Sequence, residues 1–132
     1  MQGLYSIEVS FCLKLWYLLP QLSDGHMVLN LDPCIGYIIR EAHFPNRKLA
    51  ILGDTCDASA IEPLLRFPPP SLLIHEATDA CIPTSVDPQA RRKDEEVQEK
   101  VLARGHSTPA MAGEFAKRVG AERLVLNHIG GR

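Results

Sequence analysis

Three short apolar runs constrain most strongly what this 132-residue chain can fold into, because each breaks off at polar residues able to do chemistry. Lys48-Leu49-Ala50-Ile51-Leu52 ends in Gly53-Asp54-Thr55, and Ser71-Leu72-Leu73-Ile74 ends in His75-Glu76-Ala77-Thr78. Arg123-Leu124-Val125-Leu126 ends in Asn127-His128. Runs of this length and composition suit strands covered on both faces. Helical signals fall between them. Asp57 or Ser59 can cap a helix through Arg66, with Pro63 near its first turn and Pro68-Pro69-Pro70 ending it. Asp87-Pro88 predicts a second helix, Asp at the N-cap and Pro at the first position, running to Arg104 before Gly105. Thr108-Pro109 opens a third in the same way. Its apolar face is Ala112, Phe115, Ala116 and Val119, and Gly120 stops it. From residue 48 onward the order is therefore strand, helix, strand, helix, helix, strand, an α/β chain. In such sheets the site lies outside the carboxyl ends of the strands, where the three polar ends would converge.

The first part of the chain carries weaker signals. Residues 1–20 suit a strand or a short helix, and Leu22 to Pro33 reads as a hairpin around Ser23-Asp24-Gly25. Phe11 to Leu19 is apolar but interrupted by Lys14, far short of the roughly 20 apolar residues that span a bilayer. No basic segment precedes it, so neither a signal peptide nor a membrane anchor is expected.

Charge and cysteine usage narrow the function. Fourteen Lys and Arg against sixteen Asp and Glu leave a net charge of −2. That excludes nucleic-acid binding by bulk electrostatics, which needs clustered cations. The run Arg91-Arg92-Lys93-Asp94-Glu95-Glu96 reads as a solvated face of the second helix. Cys12, Cys34, Cys56 and Cys81 form no C-x-x-C pair, which argues against a zinc knuckle or a disulfide scaffold and for reduced thiols in an intracellular protein.

Five residues carry candidate chemistry. Asp54, at a strand end after Gly53, can either cap the next helix or bridge two metal ions about 3.5–4 Å apart. Strand alternation lets only one of His75 and Glu76 face the crevice, and Glu76 is the candidate acid or base. His106, in Gly105-His106-Ser107-Thr108-Pro109, precedes a helix N-terminus that favours anions. His128 ends a strand, where a neutral imidazole can ligate zinc. Gly130 and Gly131 keep the following backbone open, so that Arg132 can fold back on a phosphate.

Each signal is weak alone, but their order is not. Gly-Asp-Thr, His-Glu-Ala-Thr, Gly-His-Ser-Thr, and a strand-end His followed four residues later by Arg are similar to the C-terminal motif series of ribonuclease Z, in the metallo-β-lactamase superfamily. The likeness is clearest over residues 48–132. It implies a single partial domain, the C-terminal half of a metallo-β-lactamase αββα sandwich. It also implies zinc-dependent hydrolysis that removes the 3′ trailer of precursor tRNA. Asp54 and His128 would be metal ligands, Glu76 and His106 would handle protons and charge at the scissile phosphate, and Arg132 would contact RNA. The family's His-x-His-x-Asp-His motif, its further metal histidine and its tRNA-gripping arm have no counterpart here, and the last motif departs from the usual His-Phe-Ser-x-Arg-Tyr. The resemblance therefore implies a fragment that binds its two zinc ions poorly and does not cut RNA alone. The alternative is a non-catalytic remnant that pairs with itself or with a full-length homologue.

Overall fold

The structure is a computed structural model. It describes the backbone of residues 5–15, 31–41 and 44–130, with side chains from Cys34 onward in those segments. Five strands form one sheet in chain order: β1 (Tyr5–Leu15), β2 (Leu31–Glu41), β3 (Lys48–Ile51), β4 (Leu72–Glu76) and β5 (Leu124–Asn127). β1, β2 and β3 are antiparallel neighbours, whereas β3, β4 and β5 run parallel. Parallel neighbours need crossovers. The first carries a 3₁₀ turn (Ser59–Ile61) and helix α1 (Glu62–Arg66), and the second carries α2 (Asp94–Ala103) and α3 (Pro109–Val119). The expected strand-helix order from residue 48 is thus present, and all three parallel strands point their carboxyl ends to one edge.

One sheet face is packed and the other is open. Ile38, Ala50, Leu73 and Leu124 lie in one cross-strand row. The first three are buried, in a core that adds Leu52, Ile61, Leu65, Phe115, Ala116 and Val119 from the helix side. The row on the opposite face is Tyr37, Ile51, Ile74 and Val125. Tyr37 is 44% and Val125 47% exposed. The expectation of strands covered on both faces thus holds on one face only among the described residues. Burying a Leu or Ile side chain fully stabilises by about 1.5–3 kcal/mol, so the packed face carries most of the core energy.

Local signals explain α3 well. The Thr108 hydroxyl accepts from the Met111 amide at 3.3 Å, Pro109 sits in the first turn, and Gly120 closes the helix at φ 70°. The predicted face Ala112, Phe115, Ala116 and Val119 is buried throughout. The first crossover helix is shorter and split, and Asp57 caps the Ser59 amide at 2.8 Å rather than opening a regular helix.

Two expectations are corrected. The second helix begins at Asp94, not at Asp87. Asp87 makes a local turn instead, accepting from the Gln89 amide at 2.9 Å. Arg92 then pairs both its terminal nitrogens with the Asp79 carboxylate, at 2.6 and 2.8 Å, and so ties the chain to the loop after β4. This pair also depresses the Asp79 pKa below its usual range. The basic triplet is therefore not on a helix. Asp94, Glu95 and Glu96 occupy the first turn, where the helix dipole favours negative charge. The early part also differs: Leu31 to Pro33 belong to a long strand, β2, paired with β1. The expected turn at Ser23-Asp24-Gly25 lies outside the described residues.

Candidate functional site

β3, β4 and β5 each deliver a residue to the same edge. His128, just past β5, sets its Nδ1 2.9 Å from Asp54 Oδ1, just past β3. The His106 and His128 rings stand edge to face, with centroids 5.1 Å apart. His106 in turn sets Nδ1 3.2 Å from Glu76 Oε1 at the end of β4. The four residues expected to converge therefore form one continuous chain of contacts.

Glu76 is the hub of this edge. Its side chain is 1% exposed, yet both carboxylate oxygens accept hydrogen bonds. Oε1 accepts from the Ser107 amide at 2.7 Å, the Thr55 amide at 3.3 Å and His106. Oε2 accepts from the Thr78 amide at 3.1 Å and the Thr78 hydroxyl at 2.9 Å. A buried carboxylate is tolerated only when satisfied in this way. The Ser107 hydroxyl adds a bond to the Thr55 carbonyl at 2.6 Å. Three loops far apart in the chain are locked together around one charge. Because a carboxylate only accepts, His106 donates through Nδ1 and leaves Nε2 free for a ligand or a proton.

Asp54, His106 and His128 each offer a donor atom within 4.8 Å of the others. Three nitrogen and oxygen donors are the protein share of a catalytic zinc site, and a carboxylate behind one imidazole is the usual support. The cluster therefore suits a zinc ion, held by all three donors or by Asp54 and His128 with His106 beside them. Asp54 and His128 were the expected ligands. His106 joins them in space, a proximity that the expected division between ligand and proton carrier does not require. Arg132 lies outside the described residues.

Backbone geometry aims the clustered side chains. His128 has φ 52°, an uncommon conformation for a residue other than glycine. Two residues on, the Gly130 amide donates to the Thr78 carbonyl at 2.8 Å, and a Cβ on Gly130 would stand 2.6 Å from that oxygen. Gly130 thus provides close approach to the His-Glu-Ala-Thr loop, not the open backbone expected of it. Gly53 does the same before Asp54, since a Cβ there would stand 2.8 Å from Cys34 Sγ.

β4 separates two environments. Glu76 faces the site, while His75 points to the helix side with its ring against Phe115, centroids 5.8 Å apart. The predicted alternation is observed. His75 is 2% exposed, and its Nδ1–H donates to the Glu76 carbonyl at 2.8 Å. Burial lowers its pKa and keeps it neutral. Sequence reasoning missed Ser107, Thr55 and Thr78 as the supports of Glu76. The signal available for them was their place in the same motif loops.

No family model matches the chain. It is 39% identical over 113 residues to ribonuclease Z of Streptococcus sanguinis and 32% identical over 111 residues to ribonuclease BN of Cronobacter sakazakii. Each match takes in 84% of this chain and 29% of the relative, so the chain spans under a third of those proteins' length. The mouse protein named zinc phosphodiesterase ELAC protein 1 is 37% identical over 86 residues. Among solved structures, human tRNase Z, short form, aligns with 76% of the chain and 33% of its own, at TM-score 0.57 and 36% identity. The metallo-β-lactamase fold protein YhfI of Bacillus subtilis aligns with all of the chain and 40% of its own, at TM-score 0.55 and 19% identity, a likeness of fold alone.

Proposed function

We propose, for a chain that resembles part of the ribonuclease Z proteins in sequence and has part of a metallo-β-lactamase fold, that it carries one side of a zinc-dependent phosphodiesterase site for the 3′ end of precursor tRNA. The observation that carries this reading is the cluster of Asp54, His106 and His128, braced by a buried Glu76. Asp54 and His128 would hold zinc, and Arg132 would contact RNA. Bound zinc would supply Lewis acidity toward water and the phosphate oxygens. His106 presents Nε2 to the reacting phosphate and carries the proton. Glu76 holds the His106 ring in one tautomer and offsets its positive charge when it is protonated. The His-x-His-x-Asp-His motif that would supply further metal ligands has no counterpart in this sequence. Cleavage therefore requires the rest of the fold, supplied by another chain or by an upstream segment. No helix among the described residues is long and apolar enough to cross a membrane, and an intracellular site of action accords with a tRNA substrate.

The test pairs this chain with a ribonuclease Z truncated before its own Gly-Asp-Thr segment, and measures zinc content and precursor-tRNA cleavage. Cleavage should appear only in the mixture. Asp54→Ala should lose zinc and activity together. His106→Ala should keep zinc and lose turnover by about 10²–10⁴-fold, the usual worth of general acid–base help. Loss of zinc in His106→Ala would instead make His106 a ligand. Unchanged turnover in both Glu76→Ala and His106→Ala would end the catalytic reading.

A second reading rests on a different observation, the open sheet face with Tyr37 and Val125 exposed. Apolar surface of this kind marks an interaction site. In that reading the face pairs with a second copy or a full-length homologue without catalysis. Concentration-dependent self-association, abolished in a Tyr37→Ser, Val125→Ser double variant, together with no gain of cleavage in the mixture, would favour it.

A further inference from the structure

Behind the Glu76 loop, on the helix side of the sheet, lies a cavity of about 170 Å³ between α3 and the loop after β3. Taking a water's share of liquid volume as about 30 Å³, it holds roughly five waters or one small organic group. His75 forms part of its wall, and so does Ser107, whose amide binds Glu76 on the other side.

The chemistry of the wall is one-sided. His75 is almost fully buried, and its Nδ1–H is committed to the Glu76 carbonyl. Nε2 is therefore a lone-pair acceptor, and burial keeps the ring neutral. Nε2 has no hydrogen-bond partner among the described residues, nor is it an orphan sealed inside the protein, so it opens on the cavity that the ring lines. At the mouth stand Asp57, Glu114 and Arg118. The one cation of the three is engaged: Arg118 Nε lies 3.1 Å from Glu62 Oε2, and its guanidinium stacks 5.3 Å from the centre of the Phe115 ring. The mouth thus carries two carboxylates, of which Asp57 already accepts from the Ser59 amide, and the interior carries an imidazole lone pair. Anions are disfavoured, and N–H donors carrying positive charge are matched at both ends.

We propose that this cavity is a binding site for a small organic cation, an ammonium or guanidinium group, with one N–H donated to His75 Nε2 and the charge facing Glu114 and Asp57. A preformed metal site is disfavoured, because no three donors among Cys56, Asp57, His75 and Glu114 come as close together as those of the Asp54 cluster. The inference is independent of the phosphodiesterase reading, since none of these residues belongs to the site at the strand ends.

The test titrates the full chain separately with methylguanidinium, methylammonium, inorganic phosphate and Zn²⁺, and follows the His75 ring nitrogens by NMR. A saturable shift of His75 Nε2 with either organic cation, in roughly the millimolar range expected for so small a ligand, supports the site. Glu114 is exposed, so Glu114→Gln should fold normally and weaken that binding by about tenfold, the size of one charge-assisted contact. Asp57→Asn, which keeps the oxygen that caps Ser59, should act in the same direction. No shift with either cation overturns the proposal, since the cavity then holds water only. A His75 response to phosphate in preference to the cations overturns it, as does one to Zn²⁺. Cation binding unchanged in both variants also counts against it.

Discussion

β4 offers a comparison between neighbours one residue apart. On the helix side, Leu73 and His75 are buried among Phe115 and the α3 face, and the histidine is neutral. On the other side, Ile74 is half-buried on an open face, and Glu76 is a fully hydrogen-bonded carboxylate at the edge of the Asp54, His106 and His128 cluster. One strand thus divides a core that supplies stability from the edge that carries the candidate site. Burial alone does not separate them, because Glu76 is as buried as Leu73. What differs is the nature of the partners: carbon on one side, aimed N–H and O–H donors on the other.

The sharpest way to break this comparison is to truncate both sides of the strand. Leu73→Ala should cost about 2–5 kcal/mol, the range for a buried leucine that leaves a cavity. Ile74→Ala, half-exposed already, should cost less than half of that. Equal losses in urea titrations would mean that a second layer covers the open face.

Glu76→Gln comes next, at about 2–3 kcal/mol. It keeps the shape but puts an NH₂ where an oxygen accepted from main-chain amides, leaving buried donors unpaired. The nitrogen signals of His106 should also broaden as its ring loses its anchor. A variant as stable as the parent would show that the Glu76 cradle is not a structural lock.

Two glycines sharpen the distinction further. Gly130→Ala should cost about 1–3 kcal/mol, because its methyl meets the Thr78 carbonyl at 2.6 Å. Gly113→Ala, inside α3 with nothing within 4 Å of the new methyl, should stabilise by about 0.5–1 kcal/mol. Thermal unfolding of the two variants side by side checks both signs.

The smallest effect is a pH dependence. His75 has its folded pKa lowered beneath the ordinary 6.5, first by burial, so below that pH the unfolded chain binds the extra proton. The stability contributed by the neutral ring is present above about 6.5 and is lost as pH falls through the folded pKa. Melting temperature should decline on acidification in this window, and the decline should flatten in His75→Gln. An unchanged slope would move the acid sensitivity to another group.

Much of this was legible in the residues alone. The three parallel strands, the α3 cap at Thr108 and stop at Gly120, the buried face of α3 and the opposite facing of His75 and Glu76 follow from periods of two and 3.6 and from capping chemistry, which act within about four residues. Asp54, Glu76 and His128 stood out as candidates because each follows an apolar run, and His106 because it precedes the Thr108-Pro109 cap. The start of α2 was not, since the Arg92–Asp79 pair that holds the preceding segment extended joins residues 13 apart.

What the sequence by itself determined is which residues end the strands and which face of α3 turns inward, because those depend on neighbours along the chain. The tertiary structure alone decided the work of Glu76, whose donors arrive from 31 residues away at Ser107 and 21 at Thr55. It also decided that His106 stands beside Asp54 and His128, and that Gly130 must be small against Thr78. A residue's pattern along the chain tells where its own side chain points. Which distant donors it meets is set only when the crossovers close and three loops share one edge of the sheet.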